Sequence, residues 1–148
     1  MAENQEITDL HAAIKAVLEA KYTGYNIYDY EDVVSDSEDP DIDTPAILIE
    51  IDDDFENDTE HNESDSTNLT YRLRAYVCMS FTVNKVKLAI KQFTANLTHF
   101  INNNTFNNTA EPALVINGSK PIVDINGIEI RAVEWEQKIE ITGDGSEA

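Results

Sequence analysis

The sequence has a single cysteine, only five glycines and few cationic side chains, and each shortage argues against a class of protein. Cys78 has no partner for an internal disulfide, and it cannot form the multi-cysteine set of a structural zinc site. Five glycines leave little material for a phosphate-binding loop, and neither Gly-x-Ser-x-Gly nor His-Glu-x-x-His occurs. With 10 Lys and Arg against 29 Asp and Glu, the net charge of −19 opposes sequence-independent binding to a phosphate backbone.

Long apolar runs are also missing. No run approaches the ~18 residues that a membrane-spanning helix needs, and the polar, acidic N-terminus does not resemble a secretory signal. What is present suffices for one domain with a real core, because the 148 residues are 41% hydrophobic. We therefore expect a protein of a reducing compartment that does not contact a membrane. We also expect no enzymatic activity, no cofactor and no bound metal.

The acidic residues are concentrated in one stretch of the chain. Between Asp29 and Asp65 there are 17 Asp or Glu and no Lys or Arg, whereas the rest of the chain is almost balanced. Half of the bases follow within 20 residues: Arg72, Arg74, Lys85, Lys87 and Lys91. This pattern fits a solvated acidic loop that keeps the protein soluble. It also fits an acidic surface and a basic surface that meet between subunits.

Apolar residues at helical spacing predict two amphipathic helices, over residues 5–21 and 83–102. Asn4 and Thr82 are the expected N-caps. The first apolar stripe consists of Ile7, Leu10, Ile14, Val17 and Leu18. The second consists of Val86, Ile90, Phe93, Leu97 and Phe100.

Strict alternation of apolar and polar residues over 69–81 predicts one long strand. Shorter strands are predicted at 25–30, 46–51, 112–117, 121–125 and from 128 onward. Asn117-Gly118 and Asn126-Gly127 are expected to form hairpin turns. The last strand changes its apolar phase after Ile130, which predicts a bulge or bend near Arg131-Ala132.

These elements together predict an α+β fold. The expected architecture is a two-layer sandwich, a mostly antiparallel sheet with two amphipathic helices packed on one face. Residues 1–142 are expected to form a single domain with acidic loops at 31–44 and 52–66. Residues 143–148 are expected to form a disordered tail.

Alternate acids in the second acidic loop have the spacing of the ligands in a calcium-binding loop. Position 6 of that window is Asn57 instead of glycine, and a strand precedes the window, so weak screening by divalent cations is the preferred interpretation. The window consists of Asp52, Asp54, Glu56, Asp58, Glu60 and Glu63. The three histidines, His11, His61 and His99, do not have metal-binding spacing. Cys78 lies within a predicted strand and is expected to be an ordinary packed or boundary thiol.

The last strand is expected to be anchored in the core by Trp135, the only tryptophan. Glu134 and Glu136 then point to the other face, where they would pair with Arg74 and Arg72 if the two strands are neighbours. That face is either a solvated mixed-charge surface or a contact between subunits. The candidate interface residues are Arg72, Arg74, Lys87, Lys91, Asp52, Asp53, Asp54, Glu134 and Glu136.

Four features together resemble a family of tailed-phage and prophage virion proteins, the tail-terminator or tail-completion proteins of the Mu-like virion type. They are an N-terminal helix, a Pro-Ala-Ile-Leu-Ile-Glu strand (45–50) before an acidic loop, a long strand leading into an amphipathic helix, and a closing Val-Glu-Trp-Glu-Gln (133–137). The resemblance covers residues 5–142. The chain departs from the family pattern in its longer acidic loop and its Asn-rich segment 102–109.

The resemblance implies a small protomer that assembles into a ring, commonly a hexamer, in the virion tail. Such a ring caps the head-proximal end of the tail tube and joins it to the neck, and it is assembled in the host cytoplasm. It implies no activity and no cofactor, and its partners are sister copies, tube proteins and neck proteins. DNA would pass through without specific binding. Two alternatives stay open: an acidic DNA-mimic inhibitor, and another neck or tail-tube component.

Overall fold

The computed structural model describes residues 6–35, 42–57, 67–106, 111–125 and 127–141, which form three helices and five strands. The helices are α1 (Glu6–Lys21), α2 (Tyr30–Ser35) and α3 (Val86–Ile101). The strands are β1 (Asn26–Asp29), β2 (Ala46–Asn57), β3 (Thr67–Ser80), β4 (Leu114–Ile125) and β5 (Ile128–Ile141). None of the helices in these ranges combines the length and apolar composition that crossing a bilayer requires.

The strands form one sheet in the order β1-β2-β3-β5-β4. β1 runs parallel to β2, and every other neighbouring pair is antiparallel. β3 and β5 pair along their whole length without a register shift, from Thr67 opposite Ile141 to Ser80 opposite Ile128. Both α1 and α3 pack on one face of this sheet. The predicted two-layer α+β sandwich with a mostly antiparallel sheet is therefore confirmed.

The main core lies between the sheet and the two long helices. The helical spacing of α1 and α3 turns one apolar stripe of each toward the sheet, and the alternation in β3 turns its odd-numbered residues toward the helices. Burial of each of these large side chains stabilises the fold by roughly 1.5–3 kcal/mol. Fully buried members include Leu10, Ile14, Leu18, Ile90, Leu97, Leu73, Val77 and Trp135.

A second, smaller apolar cluster lies on the opposite face of the sheet. It contains Ala46, Leu48, Cys78 and Ile130, and Tyr30 and Val33 from the α2 segment pack against it. This cluster explains the change of apolar phase in β5, because Ile130 points into it while the odd-numbered residues from Val133 onward point to the helices.

The predicted bulge near Arg131-Ala132 is therefore wrong for the pairing with β3. Arg131 lies opposite Val77 and Ala132 opposite Tyr76, in continuous register. A strand that contributes to a separate core on each face can change its apolar phase without an extra residue.

The two predicted acidic loops are each partly regular structure. The 31–44 loop begins inside α2, and the 52–66 loop begins with the last six residues of β2. A register shift between Ile51 and Phe55 lets β2 continue through its acidic residues, so that Phe55 lies opposite Tyr71. Residues 36–41, 58–66 and the predicted tail 143–148 lie outside the described residues.

One of the two predicted hairpin turns is a turn and the other is not. Gly127, with φ = 78°, is a turn residue between the paired residues Ile125 of β4 and Ile128 of β5, and Asn126 lies outside the described residues. Asn117-Gly118 instead lies inside β4, among its register shifts. A Cβ atom at Gly118 would come within 2.8 Å of the Thr98 hydroxyl oxygen, so the glycine allows α3 to pack closely on β4.

The start of α3 also differs from the prediction. The helix begins after Lys85, which adopts the left-handed conformation (φ = 52°) and makes no side-chain capping bond. Thr82 is not its N-cap, since its hydroxyl instead lies 2.8 Å from that of Ser80. The other predicted cap, Asn4, lies outside the described residues.

Candidate interaction surface on the open face of the sheet

Arg74 is the centre of a charged cluster on the face of the sheet opposite α1 and α3, which we call the open face. The register places Glu50 of β2 and Glu134 of β5 directly on either side of it. Its guanidinium donates hydrogen bonds to Glu134 (2.6 Å), Glu50 (3.1 Å) and Asp52 (2.5 Å). The hydrogen bond to Asp52, followed by that to Glu134, holds the pKa of Arg74 above its ordinary value despite desolvation. One cation is thus shared among three carboxylates.

Tyr76 connects this cluster to the small apolar core beside it. Its phenol donates a 2.6 Å hydrogen bond to Glu50, and its ring stacks on Tyr30 with centroids 4.8 Å apart. Burial, and then the hydrogen bond to Glu50, raises the pKa of Tyr76 above its ordinary value. The phenol therefore stays a hydrogen-bond donor across the physiological pH range.

Two further pairs lie at the rim of the cluster. Arg72 reaches Glu136 at 3.2 Å, and the ammonium of Lys120 lies 3.6 Å from Glu134. The predicted cross-strand pairs Arg72–Glu136 and Arg74–Glu134 are therefore confirmed. Because Arg72 and Lys120 are about half exposed, each rim pair contributes only about 0–1 kcal/mol.

The Arg74 cluster changes how the acidic stretch and the basic segment that follows it are interpreted. Glu50 and Asp52 belong to the acidic stretch of the sequence, and they bind a base from the segment just after it. For Arg74, the expected meeting of an acidic and a basic region occurs inside one protomer, because β2 and β3 are neighbours. Arg74 is consequently not free to reach a sister subunit.

The two candidate lysines lie on the other side of the molecule, on α3. Lys87 donates a 3.2 Å hydrogen bond to Glu129, which is only 3% exposed and also accepts one from Arg131. Lys91 is exposed and lines a groove along the helix. The bases between residues 72 and 91 therefore form two separate surfaces and not one basic patch.

The nine predicted interface residues accordingly separate into groups. Five are together on the open face: Asp52, Arg72, Arg74, Glu134 and Glu136. Asp54 is exposed further along β2, and Asp53 lies in β2 with its side chain outside the described set. Sequence reasoning missed Glu50, Tyr76, Lys120 and Glu129, because their importance depends on which strands are neighbours.

The remaining residues that the sequence offered for catalysis or metal binding lie in ordinary structural positions. His11 lies 2.6 Å from Asp29, which ties α1 to β1. Cys78 is buried, as predicted, and burial raises the pKa of its thiol to about 12. Asp52, Asp54 and Glu56 lie in a strand, and the rest of the calcium-like window lies outside the described residues. No group of three or more potential metal ligands occurs among the residues that the structure does describe.

The Val-Glu-Trp-Glu-Gln motif forms the middle of β5, and both of its faces are used. Trp135 is fully buried, which confirms it as a core anchor, and its indole N–H donates to Gln137 at 3.0 Å. The amide of Gln137 then donates to the carbonyl oxygens of Asn104 and Glu111. The motif therefore fastens the chain segments on both sides of 107–110 to the sheet.

Tyr76→Phe is expected to lower the free energy of unfolding by about 1–2 kcal/mol at pH 7, because it removes a hydrogen bond to a partly buried carboxylate. The folded-state pKa of Tyr76 is raised, so this stabilisation is complete below about pH 10, the ordinary tyrosine value, and is lost as the pH rises further. Urea denaturation of both proteins at pH 7 and at several pH values up to 11 measures the difference. An unchanged difference across that range, or one below about 0.5 kcal/mol at pH 7, would contradict the assignment.

Comparison with known proteins leaves the function to be inferred from the residues: no family model matches the sequence, and no match is found among curated proteins. Three features are available for that inference. They are the motif in β5, the mutually paired charges of the open face, and the exposed apolar side chains at the periphery of the sheet.

Proposed function

We propose that the chain is a structural protein of a phage virion, a tail-terminator or tail-completion subunit that forms a ring, commonly of six copies. The ring would cap the tail tube and join it to the neck. The observation that carries the proposal is β5, whose Val-Glu-Trp-Glu-Gln sequence resembles the closing strand of that family. In this fold its Trp and Gln hold the core together while its two Glu face the open surface.

The ion pairing of the charged residues on the open face supports a structural role in assembly and not a catalytic role. On the described open face, the carboxylates of Glu50, Asp52, Glu134 and Glu136 are all bound to Arg72 or Arg74. These hydrogen bonds hold the four carboxylates in cross-strand pairs on this face. A non-enzymatic role is therefore part of the proposal.

The free edges of the sheet favour assembly through side chains over pairing of strands. Beyond β1, the outer edge of β2 carries a register shift and several acids, and β4 at the other edge has register shifts and Pro121. Irregular, charged or proline-containing edges are poor templates for another strand. A closed ring also needs two different patches on each subunit.

The leading alternative, an acidic mimic of DNA, would need uncompensated carboxylates at fixed spacing. On the described open face, Glu50, Asp52, Glu134 and Glu136 are instead each paired with Arg72 or Arg74, and this partial compensation weighs against the mimic. A neck or tube component of similar fold would share the same geometry, and its position in the particle distinguishes it.

Native mass spectrometry and negative-stain microscopy of the purified protein test the proposal. The expected result is a ring; six copies of the 16.6 kDa chain would have a mass of about 100 kDa. Mixed with tail tubes from the same virion, the rings are expected at one end of each tube. A protein that stays monomeric at micromolar concentration, even with tubes present, would contradict the proposal. Rings found along the tube or only in the neck would indicate the other component.

A further inference from the structure

An exposed aromatic side chain projects near the far end of β2. Phe55 is 51% exposed although its ring contacts Tyr71, with centroids 5.1 Å apart. Its neighbours Asp54 and Glu56 are both exposed. Together, Asp54, Phe55 and Glu56 form a small apolar projection between two negative charges, which we name the acidic knob. A large aromatic side chain in such a position is typical of a contact point, because its burial contributes much area at low entropic cost.

A groove with the opposite character lies along the first turns of α3. It has a volume of about 560 Å³, and its most prominent side chain is Leu88, which is 65% exposed. Lys85 and Lys91 flank Leu88, and Ala89 and Ala95 add apolar lining. We name this feature, with Lys85, Leu88 and Lys91 as its defining residues, the basic groove.

We propose that the acidic knob of one copy docks in the basic groove of the next copy. Phe55 would cover Leu88, and the carboxylates beside Phe55 would lie against the lysines beside Leu88. The two sites match in both respects that matter at an interface, with apolar surface at the centre and opposite charges around it. This docking rests on the proposed ring, for which it supplies the contact between neighbouring subunits.

The positions of the two sites are compatible with a head-to-tail contact. Phe55 lies opposite Tyr71, near the beginning of β3, whereas α3 starts just beyond Ser80, where β3 ends. At about 3.3 Å per residue along β3, the two sites are roughly 30 Å apart. Two different patches this far apart allow the contact to continue from subunit to subunit until a ring closes.

Lys85 lies at the mouth of the groove in a backbone conformation that lysine seldom adopts. It occupies the N-cap of α3 with φ = 52°, a conformation that glycine or asparagine adopts more readily, and its side chain makes no capping bond. A lysine therefore does not improve the local structure of the helix start. Its charge at the mouth of the groove is the property that the docking would use.

Two variants, each defective at one site, test the docking directly. Phe55→Asp removes the aromatic side chain of the knob, and Leu88→Asp places a negative charge in the groove. Because Phe55 and Leu88 are each more than half exposed, both variants are expected to fold normally, as measured by circular dichroism. Each variant alone is expected to be monomeric by native mass spectrometry. Mixed in equal amounts, they are expected to form one-to-one dimers and nothing larger, because one intact knob and one intact groove remain. Leu114→Asp, at an exposed residue of β4, is the matched control and is expected to assemble as the unchanged protein does.

The outcomes separate this docking from the proposed function. If the unchanged protein forms rings and both variants also form them, the docking is overturned and the ring stands. If the mixture of the two variants stays monomeric, the head-to-tail contact is overturned as well. If the unchanged protein never assembles, with or without tail tubes, the proposed function fails and the docking fails with it.

Lys85→Gly is expected to affect docking between copies and the stability of the single protomer in opposite directions. Glycine suits the left-handed conformation, so the melting temperature of the monomer is expected to rise by about 2–4 °C. Assembly is nevertheless expected to weaken about tenfold, because one of the two flanking lysines is lost. A Lys85→Gly protein that is more stable and assembles as tightly as the unchanged protein would exclude Lys85 from the contact.

Discussion

Replacing Trp135 with alanine is expected to lower the free energy of unfolding by about 3–5 kcal/mol. The indole is fully buried between the sheet and the helices, with the ring of Phe106 at 6.2 Å, so its removal leaves a cavity in the main core. The substitution also removes the donor that holds Gln137, which in turn binds the carbonyls of Asn104 and Glu111. Because small domains are stable by only about 5–15 kcal/mol, this loss removes between about a fifth and all of the free energy of unfolding.

Urea denaturation followed by circular dichroism measures this effect, and two substitutions calibrate it. Trp135→Phe keeps most of the apolar volume and loses the N–H donor, so a smaller loss of about 1–2 kcal/mol is expected. Leu88→Ala, at an exposed apolar residue, is expected to change the stability by less than about 0.5 kcal/mol. A Trp135→Ala protein within about 1 kcal/mol of the unchanged protein would show that β5 is not the anchor of the core.

Arg74→Met is expected to destabilise the protein by about 2–4 kcal/mol at neutral pH. The substitution keeps the apolar stem but leaves the carboxylates of Glu50, Asp52 and Glu134 together without their shared cation. Removing one partner of a fully buried ion pair costs about 3–5 kcal/mol. The expected loss of stability for Arg74→Met is smaller, because Arg74 is 19% exposed and water reaches its partners.

The decisive comparison for this cluster is to neutralise the carboxylates that Arg74→Met leaves without a cation. Adding Asp52→Asn and Glu134→Gln to Arg74→Met is expected to recover most of the lost stability, since the cost comes from uncompensated negative charge. Arg72→Met, which breaks only an exposed pair, is expected to cost no more than about 1 kcal/mol. Equal losses from the two arginine substitutions would contradict the central role of Arg74.

Local periodicity was sufficient to predict the long elements of this fold. α1, α3 and β3 each end within about three residues of their predicted limits, because a complete apolar stripe or alternation determines which face is buried. The same alternation correctly placed Trp135 in the core and Glu134 and Glu136 on the opposite face. These features depend only on residues close together in the sequence.

The errors arose where a segment depends on a distant partner. The acidic end of β2 reads as a loop by composition, and it is a strand because β3 supplies the hydrogen bonds beside it. The apolar phase of β5 suggested a bulge because only one core was expected, whereas the α2 segment covers a second one. Gly118 resembled a hairpin turn, although its actual role is to admit Thr98 of α3.

The sequence by itself determined that this chain forms one sheet with two helices on one face, and that Trp135 anchors its last strand. Tertiary structure alone decided that β3 lies between β2 and β5, and therefore that Arg74 is shared by Glu50 and Glu134. It also decided that Phe55 of β2 and Leu88 of α3 are both exposed. The physical reason is that alternation along a strand specifies which face each side chain occupies, but it contains no information about which strands are neighbours.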